Sequence, residues 1–166
     1  SFAATTTNDI ASYRVIASNA AGSVTSAPVS LTILTPPAFV TTPTNRTVIA
    51  GQPAAFIALA SGAPAPGYTW FRNGSPIGGA TLPTLDFATA STNDAAAYFV
   101  VASNSAGSIT SAPVTLTVLV PPTFVTTPTN LTVILGEPAL FTSLATGSEP
   151  LAYQWLRNDA VFAGKT

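Results

Sequence analysis

Tyr98-Phe99-Val100-Val101-Ala102-Ser103-Asn104-Ser105-Ala106-Gly107-Ser108-Ile109-Thr110-Ser111 is the stretch on which the fold turns. Tyr98, Val100 and Ala102 alternate with Phe99 and Val101, so two sets of side chains point to opposite faces of an extended chain. Asn104 to Gly107 then supplies turn residues, and the chain returns as a second strand. The stretch also has a twin. Tyr13, Asn19 and Gly22 precede Tyr98, Asn104 and Gly107 by 85 positions each. Working outward, Pro36-Pro37-Ala38-Phe39-Val40-Thr41-Thr42-Pro43-Thr44-Asn45 returns at Pro121 to Asn130, and Trp70 returns as Trp155, again 85 positions on. One period thus runs through the whole chain and not merely through one motif.

The repeat is out of step with the 166-residue chain. Ser1 is in register with Asp86 and Thr166 with Thr81, so the expected layout is a back half-unit over 1–34, a whole unit over 35–119 and a front half-unit over 120–166. Joining one copy to the next would leave a gap matching only Leu82 to Leu85. That arithmetic suits a window on a long array, the favoured reading, or a protomer that polymerises when the front half of one copy pairs with the back half of another.

Within the whole unit, apolar alternation interrupted by Gly, Pro and Asn predicts short antiparallel strands near 39–42, 47–49, 54–60, 68–71, 85–87, 98–103 and 108–118. Asn73-Gly74 is a type I′ hairpin signal. Seven strands in one 85-residue period fit a two-sheet sandwich. Phe56, Ala58 and Ala60 share one strand face, as do Tyr98, Val100 and Ala102, and with Trp70, Leu85, Phe87, Leu116 and Val118 they can fill one core.

These residues resemble an immunoglobulin-like domain of the I-set type. Phe56 to Gly62, Pro64, Pro66, Tyr68, Trp70 and Asn73-Gly74 look like its strands B and C, while Asp94, Tyr98 to Asn104 and Gly107 resemble its strand F and the following turn. The resemblance runs through every period and implies an all-β chain of tandem immunoglobulin-like domains. It places Ala58 and Val100 where the family usually carries its two half-cystines, with Ser143 and Val15 there in the partial units. A disulfide-free array of this kind is similar to those of bacterial secreted and surface proteins. The resemblance further implies that Phe56, Trp70, Tyr98 and Val100 form the core, that the Tyr98 hydroxyl bonds back to the backbone, and that Asp94 caps the turn before it. Tyr13 and Val15 would meet Phe141 and Trp155 where half-units from two copies pair.

Composition narrows the function. Hydrophobic residues are 47 % and charged residues 7 %, so Thr, Ser and Asn must form the polar surface. A net charge of −1 from scattered residues gives no footprint for nucleic acid or an anionic membrane, and it leaves little repulsion between copies. No apolar run approaches the roughly 18 residues of a membrane span. With no Cys there is no disulfide staple, and the single lysine, Lys165, cannot provide an isopeptide bond inside the whole unit.

Catalysis finds no residue set. His and Cys are lacking, and Asp9, Asp86, Asp94, Glu137, Glu149 and Asp159 fall singly, with neither a carboxylate pair nor a base for a serine. The same scatter gives no cluster of hard oxygen ligands for a cation, so neither metal nor cofactor is expected. Asn45-Arg46-Thr47, Asn73-Gly74-Ser75 and Asn130-Leu131-Thr132 fit the N-glycosylation pattern, but turn and strand-edge roles explain them as well. Phe71, Phe99 and Val101 should point outward on neighbouring strands, giving an apolar patch for lateral contacts, with Ile57 and Leu59 outward on the other sheet. The resulting expectation is a structural segment of an extracellular or cell-surface filament, stalk or fibre that self-associates. The alternative is an adhesin or carbohydrate-binding accessory module with a glycan ligand, for which Phe71 and Phe99 offer aromatics but few polar neighbours.

Overall fold

The computed structural model describes residues 4–164, so Lys165 lies outside them. Runs of β-branched and aromatic residues form strands, and two short 3-10 turns, Thr7–Asp9 and Thr92–Asp94, stand at repeat-related positions. The fold is all-β. In the middle of the chain one sheet has the strand order Ser75–Pro76, Gly67–Arg72, Ala96–Asn104, Val114–Leu119 and Arg46–Ile49, with Gly107–Thr110 also paired to Ala96–Asn104. The other strands there form two pairs, Thr35–Thr41 with Leu59–Ala63 and Ala54–Ile57 with Thr84–Phe87.

Three expectations change in detail. The segment 54–60 is two strands, because Ala54–Ile57 pairs with Thr84–Phe87 and Leu59–Ala63 pairs with Thr35–Thr41; at the change of partner the Ala58 N–H still donates to the Pro83 carbonyl at 2.8 Å. The segment 108–118 is also two, since Pro113 has no N–H to pair and Ser111 donates its own to the Val100 carbonyl at 2.9 Å. Finally, one pairing is parallel: Arg46–Ile49 lies beside Val114–Leu119 with Leu116 opposite Arg46 and Leu119 opposite Ile49. Alternation carries no strand direction, so it could not distinguish this edge from an antiparallel one. The buried Pro43 sits in the connection that ends one pairing and leads the chain to the other sheet.

By proximity the residues fall into two compact units, one made of residues up to Thr44 with Phe56–Leu85 and Tyr98–Val114, the other of Asn45–Ala55, Asp86–Ala97 and the chain from Thr115 on. In the first unit the buried apolar side chains are Phe56, Ala58, Tyr68, Trp70, Tyr98, Val100, Ala102 and Val114; in the second they are Ala90, Leu116 and Val118. The first unit also holds the ladders Ser12–Tyr13 with Val29–Ser30 and Ile16–Asn19 with Gly22–Thr25. The second holds Thr123–Thr126 with Leu144–Thr146 and Leu156–Arg157 with Ala160–Val161.

Candidate functional site

The first unit is organised around Trp70, which is fully buried. Its strand neighbour is Val100, also fully buried, and its ring lies 6.2 Å from that of Phe56 at an interplanar angle of 25°. Phe56 in turn stands 5.2 Å from Tyr98. The indole N–H donates to the Leu82 carbonyl at 3.0 Å, so the largest buried side chain leaves no polar atom unmet. Ala58 is equally dry. Ser111, the buried polar residue here, accepts the Val100 N–H through Oγ at 3.1 Å and donates to the Ala112 carbonyl at 3.0 Å. Composition gave no hint of this serine; the matching Ser26, bonded in the same way to Val15 and Ala27, was the available signal.

Turn chemistry repeats as well. The Tyr13 hydroxyl donates to the Asp9 carbonyl at 2.6 Å, which is the corner expected from the placement of Tyr98, itself 1 % exposed. Asp94 accepts the Ser91 N–H and hydroxyl at 2.8 and 2.7 Å, while Asp9 does the same for Thr6 at 2.8 and 3.0 Å. These acids close turns. Asn73 and Gly74 both take positive φ, 48° and 84°, as a type I′ hairpin requires.

On the outward face of Gly67–Arg72 and Ala96–Asn104, Phe71 pairs with Phe99, and their rings stack 4.6 Å apart and 5° from parallel. Each ring covers part of the other. Phe71 and Phe99 are consequently half-buried, as is Val101, whereas Ile57 and Leu59 are both 48 % exposed.

Asn104 does more than turn the chain. Its Oδ1 accepts the Ala106 N–H at 2.8 Å, and its Nδ2 donates to the carbonyls of Thr35 and Pro64, both at 2.8 Å. One amide therefore ties the hairpin to the strand that opens at Thr35 and to the loop at Pro64. Gly62 makes room for it: a Cβ there would lie 2.9 Å from Asn104 Nδ2 and 3.2 Å from the Thr35 carbonyl. Gly147, 85 positions on, is also enclosed, there by backbone atoms of Val120, Pro121 and Pro122. A glycine inside a strand signals such close approach, although its partner is invisible in sequence.

In the flanking segments the same residue types stand open. Val15 is 66 % and Phe141 50 % exposed, and Tyr13 and Trp155 are half-buried. Phe141 and Trp155 keep a ring distance of 6.2 Å and border an open groove of about 790 Å³ with Pro128, Leu140, Arg157 and Phe162. Of the candidate glycosylation sites, Asn45 is exposed but uses its Oδ1 to accept the Thr115 N–H at 2.8 Å; Asn73 and Asn130 are exposed. Among the described residues no group of three or more His, Cys, Asp or Glu could hold a metal ion, and no helix is long and apolar enough to cross a membrane.

The sandwich, its buried tryptophan and the tyrosine corner define an immunoglobulin-like fold, and residues 36–104 match the family model for an immunoglobulin domain. The chain is 35 % identical over 158 residues to the Homo sapiens leucine-rich repeats and immunoglobulin-like domains protein 3, covering 89 % of this chain and 14 % of that protein. It is 32 % identical over 155 residues to Homo sapiens roundabout homolog 1, covering 90 % of this chain and 9 % of that protein. The chain thus spans a small part of the curated relatives that it matches. An I-band fragment of titin superposes with a TM-score of 0.80 at 22 % identity, covering 98 % of this chain and 60 % of the fragment, a likeness of fold alone.

Proposed function

We propose that the chain is a structural segment of a tandem immunoglobulin-like array in an extracellular filament, stalk or surface fibre, with units divided at residues 34 and 119. The observation that carries this reading is the return of whole hydrogen-bond motifs at the 85-residue spacing. Ser26 and Ser111 cap Val15 and Val100, and the hydroxyls of Tyr68 and Tyr153 accept the N–H of Ala60 and Ala145 at 2.8 and 2.9 Å. A chain whose described residues spend their polar groups on repeating its own framework, with no His, Cys, Asp or Glu cluster among them, is suited to reach and stiffness. The proline pairs Pro36-Pro37 and Pro121-Pro122 restrict φ where one unit leads into the next, which limits bending in such an array. Phe56, Trp70, Tyr98 and Val100 serve as the framework, and the stacked Phe71 and Phe99 with Val101 as the lateral contact between arrays. The bacterial source suggested by the disulfide-free pattern is retained in this proposal, although the relatives named above are animal proteins.

Electron microscopy of the native assembly tests it. Filaments with a periodic unit matching one repeat support the reading, and dispersed particles under all conditions would remove it. Phe99→Ser should leave the fold intact while reducing side-by-side bundling; a folded, monodisperse variant that bundles like the parent would remove the lateral contact.

A further inference from the structure

Three triplets fit the N-glycosylation pattern, and the fold sets one of them apart. At Asn73-Gly74-Ser75 the chain reverses, since Asn73 and Gly74 take φ values of 48° and 84° and Ser75 pairs back with Arg72. At Asn45-Arg46-Thr47 it runs extended into the strand Arg46–Ile49. Alternate residues of an extended chain face the same side. Arg46 lies opposite Leu116, which is 1 % exposed, and its Nε donates to the Ala55 carbonyl at 3.3 Å. Thr47, opposite the exposed Thr117, points the other way, toward solvent, and alternation sets Asn45 on that side with it. All three residues of the triplet are exposed. The amide and the hydroxyl return together as Asn130 and Thr132, at the 85-residue spacing.

The Asn45 amide is only half engaged. Its Oδ1 accepts the Thr115 N–H at 2.8 Å, which carries the parallel ladder one step beyond its main-chain pairing. Its Nδ2 has no partner among the described residues, in contrast to Asn104, whose Nδ2 donates to two carbonyls. The oxygen bond restrains the side chain and leaves the nitrogen available. Arg46–Ile49 is also the end strand of its sheet, so a bulky group at its start meets no further strand.

We infer that Asn45 is an attachment site for an N-glycan, taking an oligosaccharide on Nδ2 from a polyprenyl-pyrophosphate donor. The inference rests on the extracellular location in the proposed function and not on filament formation. In the transfer, Nδ2 attacks the anomeric carbon of the first sugar. The bond from that carbon to the pyrophosphate oxygen breaks, the lipid pyrophosphate leaves with the electron pair, and one Nδ2 proton passes to a base of the transferring enzyme. Oδ1 is untouched, so the bond from Thr115 persists in the product. The glycan has a physical task at this place. An edge strand is open to pairing with other chains, and charged side chains are a common guard. Charged residues are only 7 % of this chain, and the one on this strand, Arg46, turns its head group back to Ala55. A hydrated oligosaccharide at Asn45 supplies the guard that charge does not, and it directs side-by-side contact away from this edge.

The test uses the chain recovered from the external fraction of its producing cells. The peptides carrying Asn45 and Asn73 are mapped by mass before and after enzymatic release of N-glycans in heavy-oxygen water. The expected result is a glycan-bearing Asn45 peptide whose asparagine becomes labelled aspartate on release, with the Asn73 peptide unlabelled. Thr47→Ala keeps Asn45 and its Thr115 bond, and it should lose the glycan entirely, whereas Asn73→Gln should keep it. An external chain with Asn45 unmodified, or with a glycan on Asn73 alone, overturns the inference and leaves the location standing. Retention of the glycan in Thr47→Ala also overturns it. A chain found only inside the cells removes the location itself, and the inference with it.

Discussion

Trp70 is the largest fully buried side chain; it fills the space beside Phe56 and Val100 and spends its one donor on Leu82. Trp70→Ala removes the ring and leaves a void that a close-packed interior cannot refill, so equilibrium urea unfolding should show a loss of about 3–5 kcal/mol. Ser111 acts through polarity where Trp70 acts through volume. Ser111→Ala strips the Val100 N–H of its side-chain acceptor and should cost about 1–3 kcal/mol in the same measurement. The tryptophan was legible in the sequence because size and repetition mark it. The serine was not, because in a Thr- and Ser-rich chain its value comes from a bond to a backbone group 11 residues away.

Among elements, strand positions followed from alternation, whereas breaks and pairings did not. The break at Ala58 reflects a change of partner, from Thr84–Phe87 to Thr35–Thr41, that no local pattern announces. The clasp of Asn104 likewise unites three segments remote in sequence, with separations of 69 and 40 residues. Gly62→Ala should disturb that clasp, since the added methyl would fall within 3.2 Å of a carbonyl and within 2.9 Å of the amide. The expected result is a stability loss of about 1–3 kcal/mol together with faster amide exchange around Thr35 and Ala106. An unchanged exchange pattern would show that the clasp does not hold these segments. The resemblance sets Ala58 and Val100 at the half-cystine positions, and both are fully buried. The pair Ala58→Cys and Val100→Cys should oxidise spontaneously and raise stability by about 2–4 kcal/mol, checked by thiol titration and thermal melting.

At the scale of the whole molecule, a chain of net charge −1 has little long-range field with which to attract or repel its copies. Any self-association must then come from apolar burial and strand pairing. Its dissociation constant, followed by sedimentation, should change by less than about twofold between roughly 0.05 and 0.5 M salt, a range over which exposed charge pairs become strongly screened. A steep salt dependence would place the contact on the scattered charged residues and away from the apolar faces.

The amino-acid sequence by itself determined the 85-residue period and the all-β sandwich, because periodicity and side-chain volume are local and recur along the chain; of the aromatics it placed in the core, Phe56, Trp70 and Tyr98 are buried and Phe87 is half-buried, while the buried Tyr68 was not among them. It also determined the hairpin at Asn73-Gly74, whose positive φ values are written into those residue types. Only the tertiary structure decided the parallel edge at Arg46–Ile49, the stacking that half-buries Phe71 and Phe99, and the meeting of Asn104, Thr35, Pro64 and Gly62. Those features depend on strand direction and on approaches between segments far apart in sequence. Such approaches are set by how the sheets close around Trp70, which no local pattern of residues records.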